Sequence, residues 1–218
     1  MSDHEGSALH GTEGISAARR AGAAAAAGHS GDEQAARVAL ADPDPGVRAA
    51  GLGALIRIGI ASLADLEHGF ADSSPVVRRR TAELAWRVKA PAAALWSLVA
   101  GQLEDEEGEV VEAVCFCLGE LQPQGVTAAL AEVAAHHSDP LCRESAVAAL
   151  GAIGDPAALP VILTALGDRP QIRRRAVLAL ASYEGAEVDE ALARSLTDRD
   201  WQVRQAAEDL TGSRPGSS

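Results

Sequence analysis

The sequence predicts an all-α array of about six stacked helix pairs. Three observations carry this. A turn-and-helix pattern recurs at a near-constant interval down the chain. Apolar residues within each copy fall at helical rather than alternating spacing. Ala and Leu dominate and aromatics make up only 3%, which suits closely packed helices better than a sandwich or barrel.

The pattern is clearest from Asp42 to Gly59. Asp44 is a good N-cap, and Pro45 fits the first helical position, where no backbone N–H is needed. Val47, Gly51, Leu55 and Ile58 then share one face. Copies begin at Asp72, Asp105, Ser138, Asp168 and Asp198, and run to Val88, Leu121, Ile153, Tyr183 and Leu210. Their β-branched or Cys register marks are Val47, Val77, Val110, Cys142, Ile172 and Val203, in steps of 30, 33, 32, 30 and 31 residues. Between marks lies another helical stretch: 61–71, 92–103, 126–136, 157–166 and 188–196. Each unit is therefore a helix A, an acidic turn and a helix B. Upstream, Asp32 caps a helix over 33–41, and the Ala-rich stretch 15–28 reads as a degenerate half-unit, with Ile15 32 residues before Val47. Single helices of this length are marginal in water, so the units need one another.

The stretches Asp42-Pro-Asp-Pro-Gly-Val-Arg48 and Leu150-Gly-Ala-Ile153-Gly154 resemble the short bacterial HEAT-like repeat, the type associated with phycobilisome lyases. The resemblance spans about residues 32–210. It implies a right-handed α-solenoid of about six HEAT-like helix pairs, with B helices lining a concave surface. The expected domain is a single solenoid over 14–211, in units of about 15–41, 42–71, 72–104, 105–137, 138–167 and 168–211. Polar tails are expected at 1–13 and 212–218. Such repeats serve scaffolds, lyase-type chaperones and a few enzymes, so the resemblance specifies fold far more than function.

Composition narrows the function. Net charge is −12, from 31 acidic and 19 basic residues, which disfavours generic binding to nucleic acid. Cys115, Cys117 and Cys142 have neither disulfide-framework nor metal-ligand spacing. No stretch has the pattern of a signal peptide or a membrane span, so the expected location is cytoplasmic, with no membrane partner. The one His-Glu pair is His4-Glu5, outside the repeats, so the pattern of HEAT-like di-iron hydroxylases is missing. Arg79, Arg80, Trp86 and Arg87 echo HEAT-like alkylpurine glycosylases, but the acidic total and the scarcity of further aromatics count against that reading. No nucleophile, acid–base set or phosphate loop stands out, and no cofactor is expected.

Two residue sets remain. One is a structural ladder: Asp42, Asp72, Asp139, Asp168 and Asp198 in the turns, with Arg48, Arg78, Arg143, Arg173 and Arg204 after the marks; Val111 breaks the series. A planar guanidinium suits carboxylates and turn carbonyls, so a repeated acid–Arg pairing explains both residue types without any ligand. The other set lies opposite the apolar stripe, which comprises the mark and the residues 4, 7, 8 and 11 after it. It comprises Arg79, Arg80, Glu83, Arg87, Glu112, Phe116, Glu120, Ala148, Arg174, Arg175 and Leu178. Ala49 and Gly53 are expected on the same outward face. Phe116, Ala148 and Leu178 place apolar side chains where water is expected, among charges of both signs. These residues are read as the candidate partner-binding face of a non-catalytic scaffold for another protein. The alternatives are a nucleic-acid-binding or glycosylase-like HEAT protein and a lyase- or chaperone-like subunit. Trp201 stands in a slot that is Pro45, Pro75, Pro140 and Pro170 elsewhere and reads as a lid on the end of the array, with self-association the other reading.

Overall fold

The computed structural model describes residues 5–213, and the outermost parts of both expected tails, 1–4 and 214–218, lie outside the described residues. Among the described residues there are thirteen α-helices and no strand. The chain divides into two compact units, Met1–Leu98 and Val99–Ser218, where the periodicity alone reads as one array. The first holds α1 (Glu5–Ser30), α2 (Glu33–Ala39), α3 (Pro45–Ile58), α4 (Leu63–Phe70) and α5 (Pro75–Ala85). The division falls inside α6 (Ala92–Ala100). The second holds α7 (Gly108–Leu121), α8 (Thr127–His136), α9 (Pro140–Ile153), α10 (Leu159–Ala165), α11 (Pro170–Ala179), α12 (Ala186–Ser195) and α13 (Trp201–Ser213). Within the expected tails, α1 starts at Glu5 and α13 extends to Ser213.

Local chemistry sets the helix ends. The Asp44 carboxylate accepts from the N–H groups of Gly46 and Val47 at 2.9 and 3.2 Å, satisfying donors that the first turn leaves orphaned. Pro45, Pro75, Pro140 and Pro170 each open a B helix. Ser62 and Asp65 form a reciprocal capping box on α4. Gly59 and Gly154 close α3 and α9 in the left-handed region, at φ 85° and 68°, which glycine enters without penalty.

The B helices carry the core. Leu55, Leu118, Leu150 and Leu180 occupy equivalent slots and are fully buried. The buried stripe is wider than the sequence pattern predicts. Leu52, Ala82, Cys115, Val147 and Val177, five residues after their marks, are buried as well. Ala49, expected to face outward, is also buried. The reason is cover on several sides: α3 packs against α1, α2 and α5, and α9 against α7, α8 and α11. Close approach replaces bulk at these contacts. A Cβ on Gly151 would come within 2.6 Å of Ala179 Cβ, so only glycine fits between α9 and α11.

Candidate partner-binding groove

The turn acids and the arginines meet across neighbouring pairs. Arg48 donates to both Asp72 carboxylate oxygens at 2.7 Å. Arg143 does so to Asp168 at 2.8 and 3.0 Å, and Arg173 to Asp198 at 2.9 and 2.7 Å. The Nη1 of each also reaches back to its own turn: Arg48 to Asp42 O, Arg143 to His137 O and Arg173 to Asp168 O, each at 2.9 Å. Arg78 and Arg204 make the same backward contact, to Asp72 O and Asp198 O. One guanidinium thus holds a backbone carbonyl and the next turn's carboxylate. These hydrogen bonds hold the Asp72, Asp168 and Asp198 carboxyls below the usual carboxylate range.

Two ladder assignments differ from expectation. Asp139 is not a rung: it caps α9, accepting from the Leu141 N–H at 2.9 Å. Counting back from Cys142, the rung slot is His137, whose Nδ1 accepts the Asp139 N–H at 3.1 Å as a turn carboxylate does elsewhere. The periodicity also misses Arg20, which donates to both Asp42 oxygens at 2.7 and 2.9 Å from one helical turn beyond the expected slot. At the α7–α9 junction both halves of the rung are therefore substituted, Arg by Val111 and Asp by His137. Val111 is fully buried there. The junction is bridged instead by the Cys142 thiol, 3.2 Å from Gly108 O, and by Gln122 at the end of α7, whose Nε2 donates to Ala152 O on α9 at 2.7 Å.

That junction carries a groove of the second unit. It has a volume of about 440 Å³ and lies between α7 and α9. Gly119 and Ala149 form its floor, where a Cβ on Gly119 would sit 3.3 Å from Ala149 Cα. Phe116, Leu141, Ala148 and Ala152 supply the apolar wall, and Glu112, Glu120, Glu144 and Arg175 the charged rim. Phe116 is 52% exposed and Leu141 51%. Five sequence candidates thus come together: Glu112, Phe116, Glu120, Ala148 and Arg175. Leu178, 39% exposed, and Arg174 lie outside the lining, on α11. Leu141 is a residue the sequence reading missed. The available signal was weak, a leucine in a slot held elsewhere by Gly46, Val76, Glu109, Gln171 and Gln202.

Charge is arranged unevenly on this face. Arg175 reaches Glu144 at 3.4 Å. Glu120 and Arg174 are exposed, with no hydrogen bond or ion pair to another described residue. In the first unit Arg79, Arg80 and Glu83 form a surface cluster, Arg80 2.9 Å and Arg79 3.4 Å from the Glu83 carboxylate. Arg80 lies over Gly53, where a Cβ would make only an ordinary contact with its Nη2 at 3.6 Å. Arg87 stacks on the Trp86 ring at 4.8 Å. All four arginine and glutamate candidates of α5 and its end therefore have intramolecular partners.

Burial pushes the Cys142 thiol up to about 11 and Cys115 higher still, so both are packing groups rather than nucleophiles. Among the described residues, no group of three His, Cys, Asp or Glu is placed to hold a metal ion, and no helix is long and apolar enough to cross a membrane. Trp201, 65% exposed on the first residue of α13, covers little as a lid.

A family model for HEAT repeats matches residues 97–181. No curated protein matches the chain by sequence. Solved structures share the fold. YibA of Escherichia coli is similar at 16% identity and a TM-score of 0.64, over 82% of this chain and 69% of that one. A chain in the complex of CpcE and CpcF of phycocyanin lyase from Nostoc sp. PCC7120 is similar at 20% identity and a TM-score of 0.61, over 83% and 76%. A designed armadillo repeat protein in complex with the peptide (KR)4 is similar at 16% identity and a TM-score of 0.60, over 81% and 97%. At these identities the likeness concerns fold alone. Periodic helix pairs, the Asp–Arg rungs and the solved structures agree on a HEAT-like repeat fold of helix pairs, with the match to the HEAT family itself confined to residues 97–181.

Proposed function

We propose that the chain is a non-catalytic protein-interaction scaffold that binds a segment of another protein on the exposed face of its second-unit B helices. The observation that carries this is the α7–α9 groove, where exposed Phe116 and Leu141 stand over a small-residue floor inside a charged rim. Such a patch loses apolar surface to water only when occupied, and its rim charges select the occupant. The similarity in fold to a designed armadillo repeat protein that was solved in complex with a peptide supports the reading. A lyase- or chaperone-like role is the second reading, supported by the likeness to the CpcE–CpcF complex.

The test places a photoreactive benzoyl-phenylalanine at position 116 and, as control, at exposed Ala129 on α8. Irradiation in the native host is expected to give a discrete protein adduct from position 116 alone. The same adducts from both positions, or none from position 116, would refute the reading.

A further inference from the structure

We infer that the occupant of this face is an extended segment of mixed charge: a cationic and an anionic side chain six or seven residues apart, flanking an apolar one. The inference rests on the binding face proposed above and adds its polarity. Each end of the face carries one exposed charge without a partner among the described residues, Glu120 on α7 and Arg174 on α11. The diagonal between them crosses Ala148 on α9, with Phe116 and Leu178, at the same slot of α7 and α11, one turn to either side of it. The two charges have opposite sign, and the middle is apolar.

The spacing follows from helix geometry. Glu120 and Arg174 are two B helices apart, about 16–20 Å at ordinary packing distances. Glu120 lies ten residues after its mark and Arg174 two, an offset of about 12 Å along the axis. The diagonal is therefore roughly 20–23 Å. An extended chain advancing about 3.3 Å per residue spans it in six to seven residues. A continuous polycation satisfies Glu120 but sets a like charge against Arg174 and Arg175; a polyanion does the reverse at Glu112, Glu120 and Glu144. Only the mixed segment places opposite charges at both ends.

Three fluorescein-labelled peptides test this by anisotropy against the full chain: (Lys-Arg)4, (Asp-Glu)4, and a ten-residue peptide with Arg and Glu seven apart around a central Leu. The mixed peptide is expected to bind tightest, with affinity falling as salt rises. Glu120→Arg or Arg174→Glu alone is expected to weaken it about five- to tenfold, the scale of one exposed ion pair turned into a repulsion. Both positions are on the surface, and an unchanged helical circular dichroism spectrum verifies the fold. Equal or tighter binding of either homopolymer, no binding of the mixed peptide, or indifference to both reversals would overturn the inference. If the mixed peptide is lost only with Phe116→Asp, the groove stands and the polarity falls. A dimer in sedimentation that Phe116→Asp abolishes would also overturn it, because a second copy would then be the occupant.

Discussion

Replacing Arg173 with Ala removes the most enclosed rung. Its side chain is 5% exposed and that of Asp198 is 16% exposed. The substitution deletes two charge-assisted bonds to Asp198 and one to the Asp168 carbonyl. It leaves the Asp198 carboxylate with only the Asp200 N–H at 2.8 Å. Exposed pairs contribute about 0.2–1 kcal/mol, and breaking a buried pair costs about 3–5 kcal/mol. The Asp198 side chain keeps some access to water, so the loss belongs between these limits, at about 2–3 kcal/mol. For a chain of this size, that lowers the melting temperature by roughly 5–10 °C. Urea unfolding followed by helical circular dichroism reads it, with Arg194→Ala as control. Arg194 pairs with Glu190 at 2.6 Å, but both side chains are mostly exposed, and the expected change is below about 0.5 kcal/mol. If the two variants are equally stable, the rungs are decoration and the reasoning fails.

The missing rung makes a complementary prediction. Val111→Arg alone is expected to destabilise by about 1–3 kcal/mol, because it buries a cation where the repeat register supplies His137 in place of a carboxylate; adding His137→Asp is expected to recover at least about 1 kcal/mol of that in a double-mutant cycle. Gly151→Ala forces its Cβ onto Ala179 and is expected to cost about 1–3 kcal/mol by overpacking, measured by urea midpoint. The Asp168 and Asp198 carboxyls titrate below their unfolded value of about 3.9. Their stabilisation is therefore complete above that pH and is lost as pH falls through the folded values. Urea midpoints should hold from these groups down to about pH 4 and then decline, less steeply in Arg173→Met; a decline beginning above pH 5 that Arg173→Met flattens would contradict this. The buried thiols are expected to be silent to a thiol reagent at pH 8 in the native protein and to titrate as three in urea; fast native labelling would place at least one on the surface.

The helix pairs and their order were legible because Asp, Pro and β-branched residues act locally, at turns and first turns, where sequence neighbours decide conformation. The rungs were legible in kind but misassigned at one slot. Asp139 and His137 are both within reach of one turn, and only the fold shows that the nearer residue caps while the other takes the rung position. Arg20 escaped because a long side chain reaches the same carboxylate from a turn away. Half the groove was legible as outward apolar residues, Phe116 and Ala148. Leu141 and the Gly119–Ala149 floor were not, because they depend on how closely two helices approach, which periodicity does not encode.

The Val111–His137 substitution has a consequence for coupling along the array. In a stack where each pair touches only its neighbours, local opening spreads until a strong junction stops it. Arg143–Asp168 and Arg173–Asp198 supply such junctions on the C-terminal side of α9. On its other side no Arg–Asp rung joins α7 to α9; packing, the Cys142 thiol and the Gln122 side chain, which donates to Ala152 O at 2.7 Å, hold that junction, and there the groove opens. A segment lying across Phe116 and Leu141 ties α7 to α9 from outside, supplying the cross-link that the missing rung omits. Occupancy and the local stability of that junction are then one thermodynamic quantity, so amide exchange in α7 and α9 should slow on binding more than exchange in α11.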